Sequence, residues 1–161
     1  MIMYEAAVEL KLPRAVRPRR RELARFLRQA IAATGLAGEV SVLLTGDEAI
    51  RTLSRQYRRK DKATDVLSFP AVDTAEGVAG DLVISLETAS RQAEERGHTL
   101  EMEIRVLLLH GLLHLAGYDH QTDDGAMHRK ERRLRRELGL TAGLIERTHA
   151  MQQSRRRVVR A

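Results

Sequence analysis

Apolar residues recur with two different periods along the chain, and the changes of period mark the predicted elements. Residues 40–44 alternate between apolar and polar types, which is typical of a half-buried strand. Residues 23–31 instead carry apolar side chains at the three-to-four spacing of one helix face, and Gly35 is suited to end that helix. The same two periods predict further strands at 3–10, 65–69 and 81–86, and helices at 45–57, 87–96, 100–116, 123–138 and 141–150.

The order of these elements predicts the fold class. Strands concentrate in the first half of the chain and helices in the second, which favours an α+β domain. We expect a small mixed β-sheet of about four strands covered by about five or six helices. No linker or repeat divides the sequence, so residues 1–161 are expected to form a single domain, with about 152–161 as a flexible basic tail.

Composition narrows the class of protein and of site. The hydrophobic share of 43% and charged share of 31% are those of a globular domain with a packed core. The chain has no cysteine, so disulfides and thiolate metal sites are excluded, and His, Asp and Glu are left as metal ligands. Charged residues at 5, 9 and 11 interrupt the apolar stretch that a signal peptide needs, and no run reaches membrane-spanning length. We therefore expect a cytoplasmic protein without a membrane partner.

The balance of charge favours polyanionic partners. A net charge of +6 suits nucleic acid, although a solvated basic surface would explain it equally well. Aromatic residues make up only 3% of the chain, so phosphate contacts are expected to outweigh an extended base-stacking surface. Tyr57, Phe69 and Tyr118 are candidate local stacking surfaces, but packing beside the neighbouring motifs is the expectation for each.

Three histidines form the strongest candidate site. His110 and His114 stand four apart on a predicted helix, so both rings project from one face and can share one metal ion. Gly117 is suited to the left-handed turn that would bring His120 back as a third ligand. The spacing H-x-x-x-H-x-x-G-x-x-H is that of metzincin proteases, but Gly111 stands where those enzymes carry their glutamate base. The pattern therefore favours a metal site and disfavours a protease.

These ligands could form either a catalytic site with a free coordination position or a closed structural site. Three imidazoles with an open fourth position suit catalytic zinc best, and nickel, cobalt or copper are admitted by ligand type. Asp119 could close the site as a fourth ligand, or it could orient an imidazole without touching the metal. The alternative to a metal is a set of buried histidines that hydrogen-bond within the core, which three histidines in so short a window disfavour.

Two sequence blocks resemble a known family. The run HGLLHLAGYDH at 110–120 and the segment YRRKDKATDVLSFP at 57–70 are similar to the motifs of the YbeY-type endoribonucleases, the bacterial rRNA maturation factor family. The segment GDLVIS at 80–85 agrees, and the resemblance extends from about Thr45 to Glu131. The departures, Ala63 for a common proline and Ser54 for a common asparagine, do not involve a proposed ligand.

The resemblance implies a fold, a cofactor and a role. It implies an α+β metalloprotein with one zinc ion on His110, His114 and His120, which acts in ribosomal RNA maturation and ribosome quality control. The implied partners are single-stranded RNA or an rRNA precursor, and the small ribosomal subunit or its assembly factors.

The resemblance also implies a functional role for Arg58, as the arginine after the tyrosine of the second block. A guanidinium can grip phosphate oxygens and offset charge that builds up during hydrolysis, although a solvated charge at a helix end is the alternative. Further candidates for phosphate contacts crowd the same stretch: Arg55, Arg59, Lys60 and Lys62.

The leading hypothesis is therefore a single-strand-specific, metal-dependent endoribonuclease. Whether water or the 2′-hydroxyl of the RNA attacks phosphorus stays open. A non-catalytic ribosome-assembly factor with a structural metal is the main alternative, and a metalloprotease is a weaker one because of Gly111.

Overall fold

The computed structural model describes residues 1–58, 64–72 and 77–140, together with 153 and 155–157. Within these ranges the chain forms strands, α-helices and one short 3-10 turn at Arg14–Val16. The strands are β1 (Ile2–Tyr4), β2 (Glu39–Thr45), β3 (Val66–Pro70) and β4 (Val78–Ser85). The helices are α1 (Ala6–Glu9), α2 (Arg20–Thr34), α3 (Asp47–Arg58), α4 (Leu86–Arg96), α5 (Leu100–Leu115) and α6 (Ala126–Glu137).

The four strands form one mixed sheet in the order β1-β2-β4-β3. β2 pairs in parallel with β1 and with β4, whereas β3 pairs antiparallel with β4. The predicted α+β class with a small mixed sheet is therefore confirmed. The order also places β3 at an edge of the sheet, so one side of its backbone is left outside the ladder.

Hydrophobic residues cover both faces of the sheet. On one face, alternate residues of β2 and β4 such as Val42, Leu82 and Ile84 join the main core with α2 and α5. On the other face, Leu67 of β3 and Val83 of β4 pack with Ile50 of α3 in a smaller cluster. The two cores fix α5 and α3 on opposite sides of the edge strand.

Helix α5 runs through the middle of the main core. Most of its residues are buried, as its all-round apolar pattern predicts. It begins at a Thr99 cap, whose hydroxyl accepts the backbone N–H of Met102 at 3.1 Å. Gly111 allows the helix to lie close to the sheet, because an added Cβ there would stand only 2.8 Å from a methyl of Leu82. The backbone of α5 therefore approaches β4 at the level of the histidines.

The N-terminal segment differs from its prediction. A strand over 3–10 was expected, but β1 ends at Tyr4 and the chain turns into α1. Ala6 and Ala7 are strong helix formers, and the turn they begin brings Val8 into the main core. The prediction of one continuous strand is wrong because burial of Val8 is achieved by the helical turn.

The start of α3 also differs from its prediction. A helix was expected from residue 45, but Thr45 is the last residue of β2 and its hydroxyl donates to the Glu5 carboxylate. The helix begins two residues later, at Asp47. Thr45 therefore belongs to the sheet, and its side chain bonds to Glu5, the residue directly after β1.

The other boundaries lie close to their predictions. Gly35 and Gly97 end α2 and α4 in the left-handed conformation, with φ of 71° and 68°. The helix predicted at 141–150 lies outside the described residues. Of the predicted tail the structure describes only 153 and 155–157, which are exposed, and its flexibility stays a prediction. No helix in the described part of the chain is long and apolar enough to span a bilayer.

Candidate metal centre

His110 and His114 project from the same face of α5. Their Nε2 atoms lie 3.2 Å apart and their ring centroids 4.8 Å apart. The spacing of four residues places both side chains one above the other on the helix, as predicted. His110 is buried and His114 is half-buried, so the pair leads from the core towards the surface.

The turn after α5 brings the third histidine to the pair. Gly117 adopts φ of 95°, and the N–H of Tyr118 donates to the carbonyl of Leu113 at 3.1 Å, which closes the helix end. The chain then reverses, and the ring centroid of His120 lies 5.4 Å from that of His110 and 5.5 Å from that of His114. His120 is exposed and forms the outer side of the group.

The geometry of this group fits a metal ion. One nitrogen from each of the three rings lies within 4.8 Å of the others. Zinc bonds to imidazole of about 2.0–2.1 Å in a tetrahedron place neighbouring nitrogens roughly 3.3 Å apart. The 3.2 Å between His110 and His114 already matches that value. The residues present are therefore able to hold one ion, with the exposed side left for a further ligand.

The electrostatics favour the neutral rings that a metal requires. Burial, reinforced by His110 and His120, lowers the pKa of His114 from 6.5 to about 4. Burial and the neighbouring His110 also lower the pKa of His120. Both rings are consequently neutral near pH 7 and present lone pairs, which is the ligating form.

A carboxylate that is not among the predicted site residues supports the innermost ring. Oε2 of Glu131, on α6, lies 2.9 Å from Nδ1 of His110, and Glu131 is only 1% exposed. An ionised carboxylate only accepts hydrogen bonds, so Nδ1 carries the proton and Nε2 is left free to face the other rings. Glu131 therefore sets the tautomer of His110 that can bind a metal.

A local signal for Glu131 exists in the sequence. The buried positions of α6 are Met127, Glu131 and Leu134, which follow the spacing of an apolar helix face. An acidic residue in such a row has to find a buried partner. The pattern identifies Glu131 as unusual, but it does not reveal that the partner is a histidine 21 residues away.

Asp119 lies at the rim of the site. Its carboxylate accepts the backbone N–H of Gln121 at 3.0 Å, and this bond contributes most to lowering the pKa of Asp119. Glu131 provides the carboxylate that hydrogen-bonds the imidazole of His110. The predicted role of Asp119 in orienting a ligand stays a prediction.

A cavity of about 660 Å³ opens in front of the histidines. Its lining includes the three rings, the edge strand β3 and Tyr57 at the end of α3. This volume is within the roughly 300–1,000 Å³ of small-molecule sites, so the cavity has room for a segment of a polymer substrate. The histidines therefore face a substrate-sized space and not a closed core.

The basic candidates are only partly described. Arg55 lies exposed on α3, and Arg58 ends that helix directly after the cavity residue Tyr57. The side chain of Arg58 and the residues Arg59, Lys60 and Lys62 lie outside the described part of the structure. Their predicted phosphate contacts therefore stay predictions.

Gly111 lies on the sheet side of α5. An added Cβ would meet Leu82 of β4 at 2.8 Å and the hydroxyl of Ser68 at 3.4 Å. A glutamate at this position would be directed into the sheet, so the metzincin arrangement of a helix-borne base does not fit this packing.

The fold and the site together define an α+β protein with a three-imidazole, metal-binding type of centre in an open cavity. The family model described as Endoribonuclease YbeY matches residues 9–139. The chain belongs to this family.

Similar curated proteins carry the same family name. An Endoribonuclease YbeY from Koribacter versatilis is 53% identical over 126 residues, which are 78% of this chain and 82% of the relative. One from Solibacter usitatus is 48% identical over 132 residues, 82% of this chain and 88% of the relative. The solution structure of a Thermotoga maritima protein matches with a TM-score of 0.51 at 28% identity, covering 86% of this chain and 89% of that one.

Proposed function

We propose that the protein is a metal-dependent endoribonuclease that cleaves single-stranded RNA during ribosomal RNA maturation. The observation that carries the proposal is the convergence of His110, His114 and His120 in an open cavity of a chain that belongs to the endoribonuclease YbeY family. The names of the relatives support RNA cleavage over the alternatives of a non-catalytic assembly factor and a protease.

Zinc is the proposed ion. Three neutral nitrogen ligands with an open side are the donor set of catalytic zinc, while nickel, cobalt and copper accept the same ligands. A bound zinc ion supplies a Lewis acid that can activate water and offset charge on phosphate oxygens. Glu131 holds the His110 ring in the orientation and tautomer that such an ion needs.

Arg58 is proposed to stabilise the extra negative charge that develops on the phosphate. It follows Tyr57, which lines the cavity, and a guanidinium offers donors suited to phosphate oxygens. Arg55, Arg59, Lys60 and Lys62 are proposed to contact neighbouring phosphates of the strand. The net charge of +6 supports attraction of the chain to a polyanion.

The proposed setting is the ribosome. An rRNA precursor is the expected substrate, the small ribosomal subunit or its assembly factors are the expected partners, and the cytoplasm is the expected compartment. Support for these assignments comes from the family resemblance of residues 45–131. Co-migration of the protein with small-subunit particles in a sucrose gradient would test them, and its absence from every ribosomal fraction would contradict them.

Metal analysis combined with RNA cleavage tests the proposed activity. Wild type should carry one metal ion and cleave a labelled single-stranded RNA, and His114→Ala should lose both properties. Arg58→Ala should keep the metal and lose roughly 100- to 1,000-fold in cleavage rate, as expected when a donor to developing charge is removed. Arg28→Ala, an exposed arginine of α2 outside the cavity lining, is the matched control and should retain both.

Two results would overturn the proposal. One is wild type purified without stoichiometric metal that also takes up none when metal is supplied. The other is a metal-loaded wild type that binds single-stranded RNA but leaves it intact with zinc, nickel, cobalt or copper. The second result would favour an assembly factor with a structural metal.

A further inference from the structure

Tyr57 is an exposed aromatic residue beside the metal centre. Its side chain lies at the end of α3, is 68% exposed and lines the same cavity as the three histidines. Large exposed apolar side chains are uncommon among the described residues, and Tyr57 is the one aromatic residue in that group. Packing inside the protein accounts for only a minor part of this ring surface.

Phe69 holds the Tyr57 ring in place. The two ring centroids lie 5.5 Å apart with the planes at 74°, an edge-on contact of the kind that aromatic pairs prefer. Phe69 in turn packs against the smaller core of Ile50, Leu67 and Val83. Tyr57 is therefore presented to the cavity by a partner that is itself anchored in the fold.

The open edge of β3 lies between this aromatic pair and the histidines. The carbonyl of Asp65 accepts the backbone N–H of Ser85, and the N–H of Ala71 donates to the carbonyl of Ala79. Because hydrogen-bonded and non-bonded pairs alternate along an antiparallel ladder, the backbone N–H and carbonyl of Ser68 point away from β4. Ser68 also lines the cavity. A donor and an acceptor of the backbone thus face the space that Tyr57 and the imidazoles share.

We propose that Tyr57, braced by Phe69, is a stacking site for one unpaired nucleobase, and that the β3 edge at Ser68 receives the hydrogen-bonding edge of that base. This inference rests on the proposed RNA substrate and adds a reason for single-strand preference. A base inside a duplex has both faces stacked and its pairing edge occupied. A base in a single strand can leave the stack, so that one face is free to stack on Tyr57 and its pairing edge is free to hydrogen-bond. Stacking on an aromatic ring accepts every base, so the subsite selects for strandedness more than for sequence.

A tryptophan reporter gives a direct test of stacking. The protein contains no tryptophan, so Tyr57→Trp introduces a single indole at the proposed subsite. Rapid mixing with a single-stranded RNA should quench its fluorescence before cleavage, and the same RNA annealed into a duplex should quench it much less. Leu10→Trp is the matched control, because Leu10 is 67% exposed and lies outside the cavity lining, and its fluorescence should stay unchanged with either RNA.

Steady-state cleavage gives a second readout. Tyr57→Ala should raise KM for single-stranded RNA by roughly 5- to 150-fold with a smaller change in kcat, as expected for loss of one base-stacking contact. Tyr57→Phe keeps the aromatic face and should restore KM to near the wild-type value. A residue that only packed the end of α3 would change stability without this split between KM and kcat.

The outcomes separate this inference from the proposed function. If wild type neither binds nor cleaves single-stranded RNA, both fail together. If wild type cleaves RNA but the Tyr57→Trp indole is not quenched, or Tyr57→Ala leaves KM unchanged, the stacking site alone is overturned. Equal quenching by duplex and single strand would also overturn it.

Discussion

The buried carboxylate of Glu131 lies 2.9 Å from Nδ1 of His110 and joins helix α6 to helix α5 behind the candidate metal centre. Both side chains are almost completely shielded from water, with exposed fractions of 1% and 7%. Because the carboxylate accepts a hydrogen bond from Nδ1–H, the opposite nitrogen, Nε2, keeps its lone pair and lies 3.2 Å from Nε2 of His114. The contact ties the packing of α6 to the ligating ability of α5.

Replacing Glu131 should weaken metal binding. Glu131→Gln preserves size but removes the charge that orients the ring, and outer partners of this type typically contribute 10- to 100-fold in metal affinity. Zinc affinity measured by competition with a chelator should fall by about that factor. Glu137→Gln, on the exposed side of the same helix, is the control and should match wild type. Equal affinities in the two variants, with both folded by circular dichroism, would contradict a role for Glu131.

The metal-free protein should lose stability on mild acidification. The pKa of His114 is about 4 in the folded chain and 6.5 as its reference value, so the unfolded chain binds more protons between these two pH values. Its contribution to stability is complete above about pH 6.5 and is lost as the pH falls towards 4, and His120 acts in the same direction. Urea unfolding in the presence of a chelator should show this slope. A His114→Ala variant with the same slope as wild type would rule out the assignment.

Introducing a glutamate at Gly111, where metzincins carry their base, should damage the fold and create no protease. Gly111→Glu would force a charged side chain against Leu82 in the main core, and burial of an unpaired charge together with overpacking should cost about 3 kcal/mol or more. The urea midpoint should fall sharply, and Gly111→Ala should give a smaller loss. A stable Gly111→Glu protein that cleaves an unstructured protein would show that the packing interpretation is wrong.

Asp47 should stabilise the helix that carries Tyr57. Its carboxylate accepts hydrogen bonds from the hydroxyls of Ser85 and Thr88 at 2.5 Å and from Arg91 at 2.8 Å. Burial alone would raise the pKa of Asp47, but these bonds outweigh it and lower the pKa. Asp47→Ala should therefore reduce the free energy of unfolding near pH 7 by about 1–3 kcal/mol. Asp124→Ala, at a 90% exposed side chain, should change it by less than about 0.5 kcal/mol, and equal effects would contradict the prediction.

The Asp47 contribution has a defined pH dependence. Because its pKa is lower in the folded chain, the ionised form favours folding above the unfolded value near pH 4. That contribution should be lost as the pH falls below about 4 and the Asp47 carboxylate becomes protonated, so wild type and Asp47→Ala should converge in stability under acidic conditions.

Features that depend on neighbours along the chain could be predicted from the residues alone. The three histidines could be predicted because two lie four apart on one helix and Gly117 sets the turn to the third, so local geometry decides their convergence. The α+β class followed from the periods and order of the apolar residues. The prediction of a strand at 3–10 was wrong because both a strand and a helical turn can bury Val8, and the local pattern of apolar residues does not distinguish them.

Features that join distant segments of the chain required the folded structure. The partner of Glu131, the edge position of β3 and the contact of Tyr57 with Phe69 each require the chain to return after many residues. Such contacts depend on how the helices and strands pack, and packing is set by shape and burial across the whole core. The period of the apolar residues shows which side of a helix or strand is buried, but it does not show which residues that side packs against.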